Sequence, residues 1–235
     1  MTDTSQPGRI AVDLLDRIDA LIAERHLLKH PFYADWRAGT LPREALQDYA
    51  AQYYAFESNF PRFLSALHTR SERRDVRQAL LDNLWDEEHG EANHAELWLR
   101  FGEGVGATRE QIRQAEYHDA TRALVDTYRA LVTEAPLAAG VAAVYAYEAQ
   151  VPDVATEKAH GLRERYGVSD ARALSFFDLH ATLDVEHSAA ERGMIRALSE
   201  TPADEDAAVA ATDRILDAWW AFLDDVRAHC PTPVA

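Results

Sequence analysis

The sequence predicts an all-α fold, a single-domain bundle of seven or eight helices. Three observations predict it. Apolar residues recur at helical spacing along nearly the whole chain. No run alternates clearly as a strand would, and no dipeptide signals a hairpin turn. Capping residues, prolines and glycines divide the chain into pieces of helix length, with no repeat and no low-complexity linker.

The elements follow in order. Leu14, Leu15, Ile18, Leu21 and Ile22 form one apolar stripe on a first helix, roughly 9–28. HPFYADWRAGT reads as a short loop. Thr40, as an N-cap, and Pro42 open a second helix, which Pro61 breaks or kinks. Ser71 caps a third helix that reaches about Gly90. A fourth starts near Asn93 and ends in the glycine-rich FGEGVG, and Thr108 begins a short helical stretch. Helices of roughly 119–134, 136–165 (interrupted near Pro152), 170–198 and 204–229 complete the bundle. The stretch APLAAGVAAVYAYEAQV is short for a membrane span and carries Glu148, so it reads as a buried core helix. The domain runs over 9–229, with a loose N-terminus at 1–8 and a loose tail at 230–235.

Composition narrows the function. A chain of 235 residues with 47% hydrophobic residues supports a sizeable core and is not disordered. With 24 basic against 40 acidic residues, the net charge of −16 argues against nucleic-acid binding and against an anionic membrane surface. The single cysteine, Cys230, rules out an intramolecular disulfide and any cysteine-based zinc or iron–sulfur site. The opening MTDTSQPGR lacks the basic start and apolar run of a signal peptide. The expectation is a soluble, cytoplasmic protein.

Three segments carry the chemistry. In FFDLHATLDVEHS, His180, Asp184 and His187 stand at i, i+4 and i+7. They share an arc of about 60° on one helix face and span about 10 Å of its axis. That length suits two ions about 3.5–4 Å apart better than one, with the carboxylate between them. Glu148 lies in the most apolar stretch, where a buried carboxylate must be neutralised, ion-paired or metal-bound. An arginine partner would serve as well as a metal. In LWDEEHGEANHAELW, Glu87 and His94 are seven apart; Glu88, His89 and Glu91 compete by composition alone. Read blandly, each of these segments is a solvated or ion-paired helix face. Together they supply three carboxylates and three imidazoles, a set that suits iron or manganese and oxygen chemistry, with zinc still open on ligand type.

At these residues the sequence resembles the CADD-type proteins, named for a protein associating with death domains. These are heme-oxygenase-like di-metal oxidases related to the TenA and PqqC proteins. The resemblance runs through HLLKHPFYADW, DNLWDEEHGEANHAELW, LAAGVAAVYAYEAQVP with VATEKAHGL, and FFDLHATLDVEHS. It implies a heme-oxygenase-like bundle whose metal ligands are Glu87, His94, Glu148, His180, Asp184 and His187, choosing Glu87 over Glu88. It implies two divalent ions, Fe/Fe or Fe/Mn, with O2 and an external reductant, and a homodimer. It implies formation of para-aminobenzoate for folate from the protein's own side chains. Tyr33 would give the ring and Lys158 the nitrogen, with Tyr49 a secondary aromatic candidate. Only Lys29 and Lys158 among the 24 basic residues are lysines, and one stands where the resemblance needs an amine. Death-domain binding does not carry over to this acidic chain.

Rival readings remain at this level. The same six ligands serve a di-iron oxidase of an external amino acid or fatty acid. A TenA-like hydrolase would need a cysteine nucleophile, and Cys230 lies in the tail. A metal-free PqqC-like oxidase leaves Glu148 and the His180 face without a role. Outside enzymes, the chain would be a helical interaction module that carries no metal.

Overall fold

In the computed structural model, which describes residues 13–230, helices follow one another without a strand. They are α1 (Leu14–Glu24), a 3-10 turn (Leu27–Lys29), α2 (Pro31–Ala38), α3 (Arg43–Glu57), α4 (Phe60–Arg70), α5 (Arg74–Glu88) and α6 (His94–Gly104). Then come α7 (Arg109–Arg113), α8 (Asp119–Thr133), α9 (Leu137–Glu148), α10 (Val151–Glu164), α11 (Ala171–Leu198) and α12 (Pro202–Ala228). The all-α architecture is as expected, but the seven or eight helices resolve into twelve shorter α-helical segments. The loose ends expected at 1–8 and beyond Cys230 lie outside the described residues.

Most breaks fall where the local chemistry demands them. Pro61 and Pro152 sit in the first turns of α4 and α10, where a missing N–H costs nothing. The Asn93 side chain accepts from the Glu96 N–H to open α6. Thr108 and Gln111 form a capping box on α7, and Thr201 and Asp204 form another on α12.

Three expectations are corrected. HPFYADWRAGT is not a loop: it contains α2. Its start is built by Pro31 and by His30, whose Nδ1 accepts from the Phe32 N–H at 3.1 Å. Its end is built by Gly39, which takes the left-handed φ of 71° that stops a helix. Thr40 is not an N-cap; its hydroxyl donates back to the Asp35 carbonyl, and α3 opens after Pro42 without a side-chain cap. Ser71 closes α4 and is not the residue that caps α5, although its hydroxyl accepts from the Arg73 N–H.

The packing centres on α9. Every residue from Ala138 to Glu148 is buried, because this helix is apolar all round and is covered by α8, α11 and α12. The longest helix, α11, runs beside it and also packs against α5, α6 and α10. This arrangement brings the end of α5, the start of α6, the end of α9 and the middle of α11 to one interior point. No helix among the described residues is long and apolar enough to cross a membrane.

Candidate metal centre

The six candidate ligands come together from four helices and divide into two triads. Glu87, His94 and His180 form one; Glu148, Asp184 and His187 form the other. Within each triad the ligand atoms lie within 4.8 Å of one another, and all six side chains are buried. The i, i+4, i+7 register of α11 explains the division: His180 faces one triad, and Asp184 and His187, one and two turns further on, face the other. Glu87 and His94 do not share a helix. Gly90, at a φ of 80°, separates α5 from α6, and the two side chains converge from consecutive segments.

Hydrogen bonds fix which imidazole nitrogen is free. His180 Nδ1–H donates to the Phe176 carbonyl at 2.7 Å, leaving Nε2 as the ligand atom. His187 Nε2–H donates to Asp86 Oδ2 at 3.0 Å, leaving Nδ1 without a partner, 3.7 Å from both Glu148 Oε1 and Asp184 Oδ1. His94 Nδ1 lies 2.8 Å from Glu87 Oε1 without hydrogen-bond geometry, and Asp184 Oδ2 is likewise unpartnered. Buried polar atoms without partners are rare and need a reason. Here they converge from opposed helices on shared points, as donors to a cation do. Glu87 and Glu148 stand at helix C-termini, the negative ends of α5 and α9, with no basic residue in either last turn. A carboxylate is electrostatically unfavourable there unless a cation offsets it. The donor set therefore fits divalent metal.

The electrostatics carry the same signature. Burial, then the charges of Glu148 and Asp184, raise the Glu87 carboxyl well above its ordinary value. Burial raises Asp184 to about 6. Burial opposes protonation of His187, but Asp184, Glu148 and Asp86 carry it up to about 9. Burial pushes His180 and His94 down, towards the neutral form that binds metal.

Four residues around the site escaped the sequence reading. Asp86 orients His187, and the Asn83 amide donates to both Glu148 oxygens at 3.0 and 3.2 Å. Glu57 and Glu191 are two more buried carboxylates, both held above their ordinary range by burial and by neighbouring acids. Helix register would have found two of them. Glu191 follows His180 at i+11 on the same face of α11, and Glu57 follows Tyr49 at i+8 on α3. Asp86 and Asn83 depend on tertiary approach and leave no such trace.

Beside the centre lies an aromatic chamber. Lys158, on α10, is buried with its ammonium nitrogen near five ring centroids. The distances are 4.7 Å to Tyr53, 5.1 Å to Tyr49, 5.5 Å to Trp98, 5.8 Å to Phe177 and 6.0 Å to Tyr33. Burial lowers its pKa to about 7, against the pull of Glu57. Tyr33 on α2 and Tyr49 on α3 are fully buried, and burial raises both phenols. Trp98 joins chamber and centre: its ring packs on Phe176, which stacks on His180 at 4.0 Å. Tyr33, Tyr49 and Lys158 also line a void of about 10 Å³, room for a water and not for an aromatic ring.

Comparison with known proteins agrees with this architecture. Residues 47–220 match the family described as iron-containing redox enzymes. The chain is 42% identical to the 4-aminobenzoate synthase of Nitrosomonas europaea, over 91% of this chain and 90% of that one. It is 40% identical to the 4-aminobenzoate synthase of Chlamydia muridarum, over 92% of this chain and 90% of that one. Among solved structures, a domain of unknown function with a heme oxygenase-like fold from Shewanella denitrificans superposes with a TM-score of 0.78. The identity there is 16%, over 93% of each chain, so the likeness concerns the fold.

Proposed function

The chain belongs to the family of iron-containing redox enzymes, and we propose that it is a dinuclear metal oxygenase forming 4-aminobenzoate from its own Tyr33 and Lys158. Membership of that family sets aside the non-enzymatic helical module. The observation that carries the reading is the closed chamber. A lysine and two tyrosines are buried together beside six convergent candidate ligands, around a void too small for an external aromatic substrate.

Glu87, His94 and His180 would hold one ion, and Glu148, Asp184 and His187 the other. Three carboxylates against two divalent ions leave a net positive site, and the mixed oxygen and nitrogen donors suit Fe/Fe or Fe/Mn. Such a pair, kept reduced by an external donor, supplies electrons for O2 reduction. The chain's own residues do the rest. Asp86 holds the His187 ring so that Nδ1 faces the metal, and Asn83 fixes the Glu148 carboxylate. The rings around Lys158 exclude bulk water, and burial lowers its pKa to about 7, which brings the neutral amine, with its free lone pair, within reach near neutral pH. Burial keeps the Tyr33 phenol protonated until it reacts. Tyr33 supplies the ring and Lys158 the nitrogen, and Tyr49 packs edge-on against Trp98 and faces the Lys158 amine. A homodimer belongs to the same reading: Trp85 and Val185, 59% and 57% exposed, offer apolar surface on α5 and α11.

The test is a single turnover. Metal-free protein is loaded anaerobically with Fe(II) and Mn(II), reduced, and exposed to O2 with no organic substrate. We expect up to one equivalent of 4-aminobenzoate, and none from Tyr33→Phe or Lys158→Arg at normal metal content. Oxygen consumption by the wild type without product would overturn the internal source and favour oxidation of an external amino acid or fatty acid.

A further inference from the structure

A second cavity, of about 230 Å³, opens between α5 and α11, and Lys158 is not among its lining residues. Its wall carries four carboxylates, Asp82, Asp86, Glu186 and Glu191, together with Asn83 and His187. No lysine or arginine lines it. Three of the carboxylates, Asp82, Asp86 and Glu186, are exposed, Asp86 also accepting from His187, and the fourth, Glu191, is 1% exposed.

Glu191 is the informative residue. Both of its side-chain oxygens are buried, no donor from the rest of the protein reaches them, and the group set against them is another acid, Glu148. It stands one turn beyond His187 on α11 and adjoins Glu148, so it crowds an already acidic site. A buried carboxylate that meets only another acid is costly. The six ligands complete both triads without it. A carboxylate in that place makes sense if cations meet it on their way in.

We propose that this acid-lined cavity is the access route for divalent metal, and that Glu191 is its inner station, binding each incoming ion transiently before handing it to Glu148 and His187. The proposal rests on the dinuclear reading of the centre. A funnel of one charge sign with low-dielectric walls concentrates counter-ions and speeds their capture, by about 10- to 1,000-fold in strong cases. The exposed carboxylates would collect hydrated Fe(II) or Mn(II). Glu191 would take up waters' places on the ion one or two at a time, so that dehydration is not a single step. His187, whose Nδ1 faces inward from the end of this cavity, would be the first resident ligand reached.

The experiment follows metal uptake, not turnover. Metal-free full-length protein is mixed anaerobically with Fe(II) or Mn(II), and the rate and final stoichiometry are measured separately. We expect two equivalents in the wild type, at a rate that falls as ionic strength rises. Glu191→Gln should also reach two equivalents but load about tenfold more slowly, with a shallower salt dependence. The exposed double variant Asp82→Asn/Glu186→Gln tests the outer part of the route independently of any effect of Glu191→Gln on folding, and should load several-fold more slowly. Wild-type rates in both variants would overturn the route while leaving the centre standing. Loss of one equivalent in Glu191→Gln would also overturn it, making Glu191 a resident ligand. A wild type that takes up no metal would overturn the centre itself, and the route with it.

Discussion

Lys158 is one of two lysines in the chain, and it is buried where an amine is expensive. The folded protein holds its pKa at about 7, below the value of about 10.5 expected when unfolded. The folded state therefore binds fewer protons between those values. The penalty is full below pH 7 and fades as the pH rises towards 10.5. Such a cost to stability is accounted for by the proposed role of Lys158 as nitrogen donor. Lys158→Met should therefore stabilise the protein at pH 7, by on the order of 4 kcal/mol from the charge term alone. Urea unfolding at about pH 7 and about pH 10 checks this, since the gain should shrink at the higher pH. A variant less stable than wild type at pH 7 would show that the amine is held by attraction, through Glu57 and the ring faces, more than it is penalised by burial.

Among the helices, α11 was the most legible. The spacing alone places His180, Asp184 and His187 on one face, and that face is buried. The α5–α6 break is legible too: Gly90 and Asn93 divide two helices in the sequence, and the structure has two. By contrast α2 was hidden, because eight residues are too few for periodicity to show. Its helix depends on a histidine cap that no simple preference for Ser, Thr, Asp or Asn would pick out. Yet α2 carries Tyr33, and its position is set by a close approach. A Cβ at Gly161 of α10 would come within 2.4 Å of Trp36 Nε1 and 2.6 Å of its Cδ1. The Trp36 ring in turn packs on Phe32 and Tyr49. Gly161→Ala should push Trp36 aside and disturb the chamber, at a cost of about 1–3 kcal/mol. Thermal unfolding should show the loss, and tryptophan emission should shift. Unchanged stability and spectrum would mean that α2 and α10 separate freely, and that the chamber is not rigidly built.

On the scale of the molecule, the pairing of ligands into triads was not readable from any segment. Glu148 is separated from its partners Asp184 and His187 by all of α10, and only the packing of α9 against α11 unites them. The excess of buried acid was equally hidden, since Glu57 and Glu191 look like surface residues until the helices are assembled. That excess has a consequence for the whole protein. Glu57, Glu87, Asp184 and Glu191 all have raised pKa values in the metal-free fold. The folded state then keeps protons that the unfolded chain releases above about pH 4.5, so metal-free stability falls as pH rises. Bound divalent ions reverse the sign, because ligands must be ionised to bind them. The melting temperature of metal-free protein should drop between about pH 5 and pH 8 while that of loaded protein does not, so the gap widens with pH. A gap independent of pH would mean that Glu87 and Asp184 are not metal ligands.

Isotopes distinguish a product cut from the protein from one made of any other source. The chain is produced with ring-13C tyrosine and ε-15N lysine, loaded with iron and manganese, and given one exposure to O2 in unlabelled buffer without substrate. The account predicts 4-aminobenzoate carrying both the 13C ring and the 15N nitrogen, together with peptides from the spent protein altered at Tyr33 and Lys158. Unlabelled product, or labelled product from a protein whose Tyr33 and Lys158 remain intact, would contradict it.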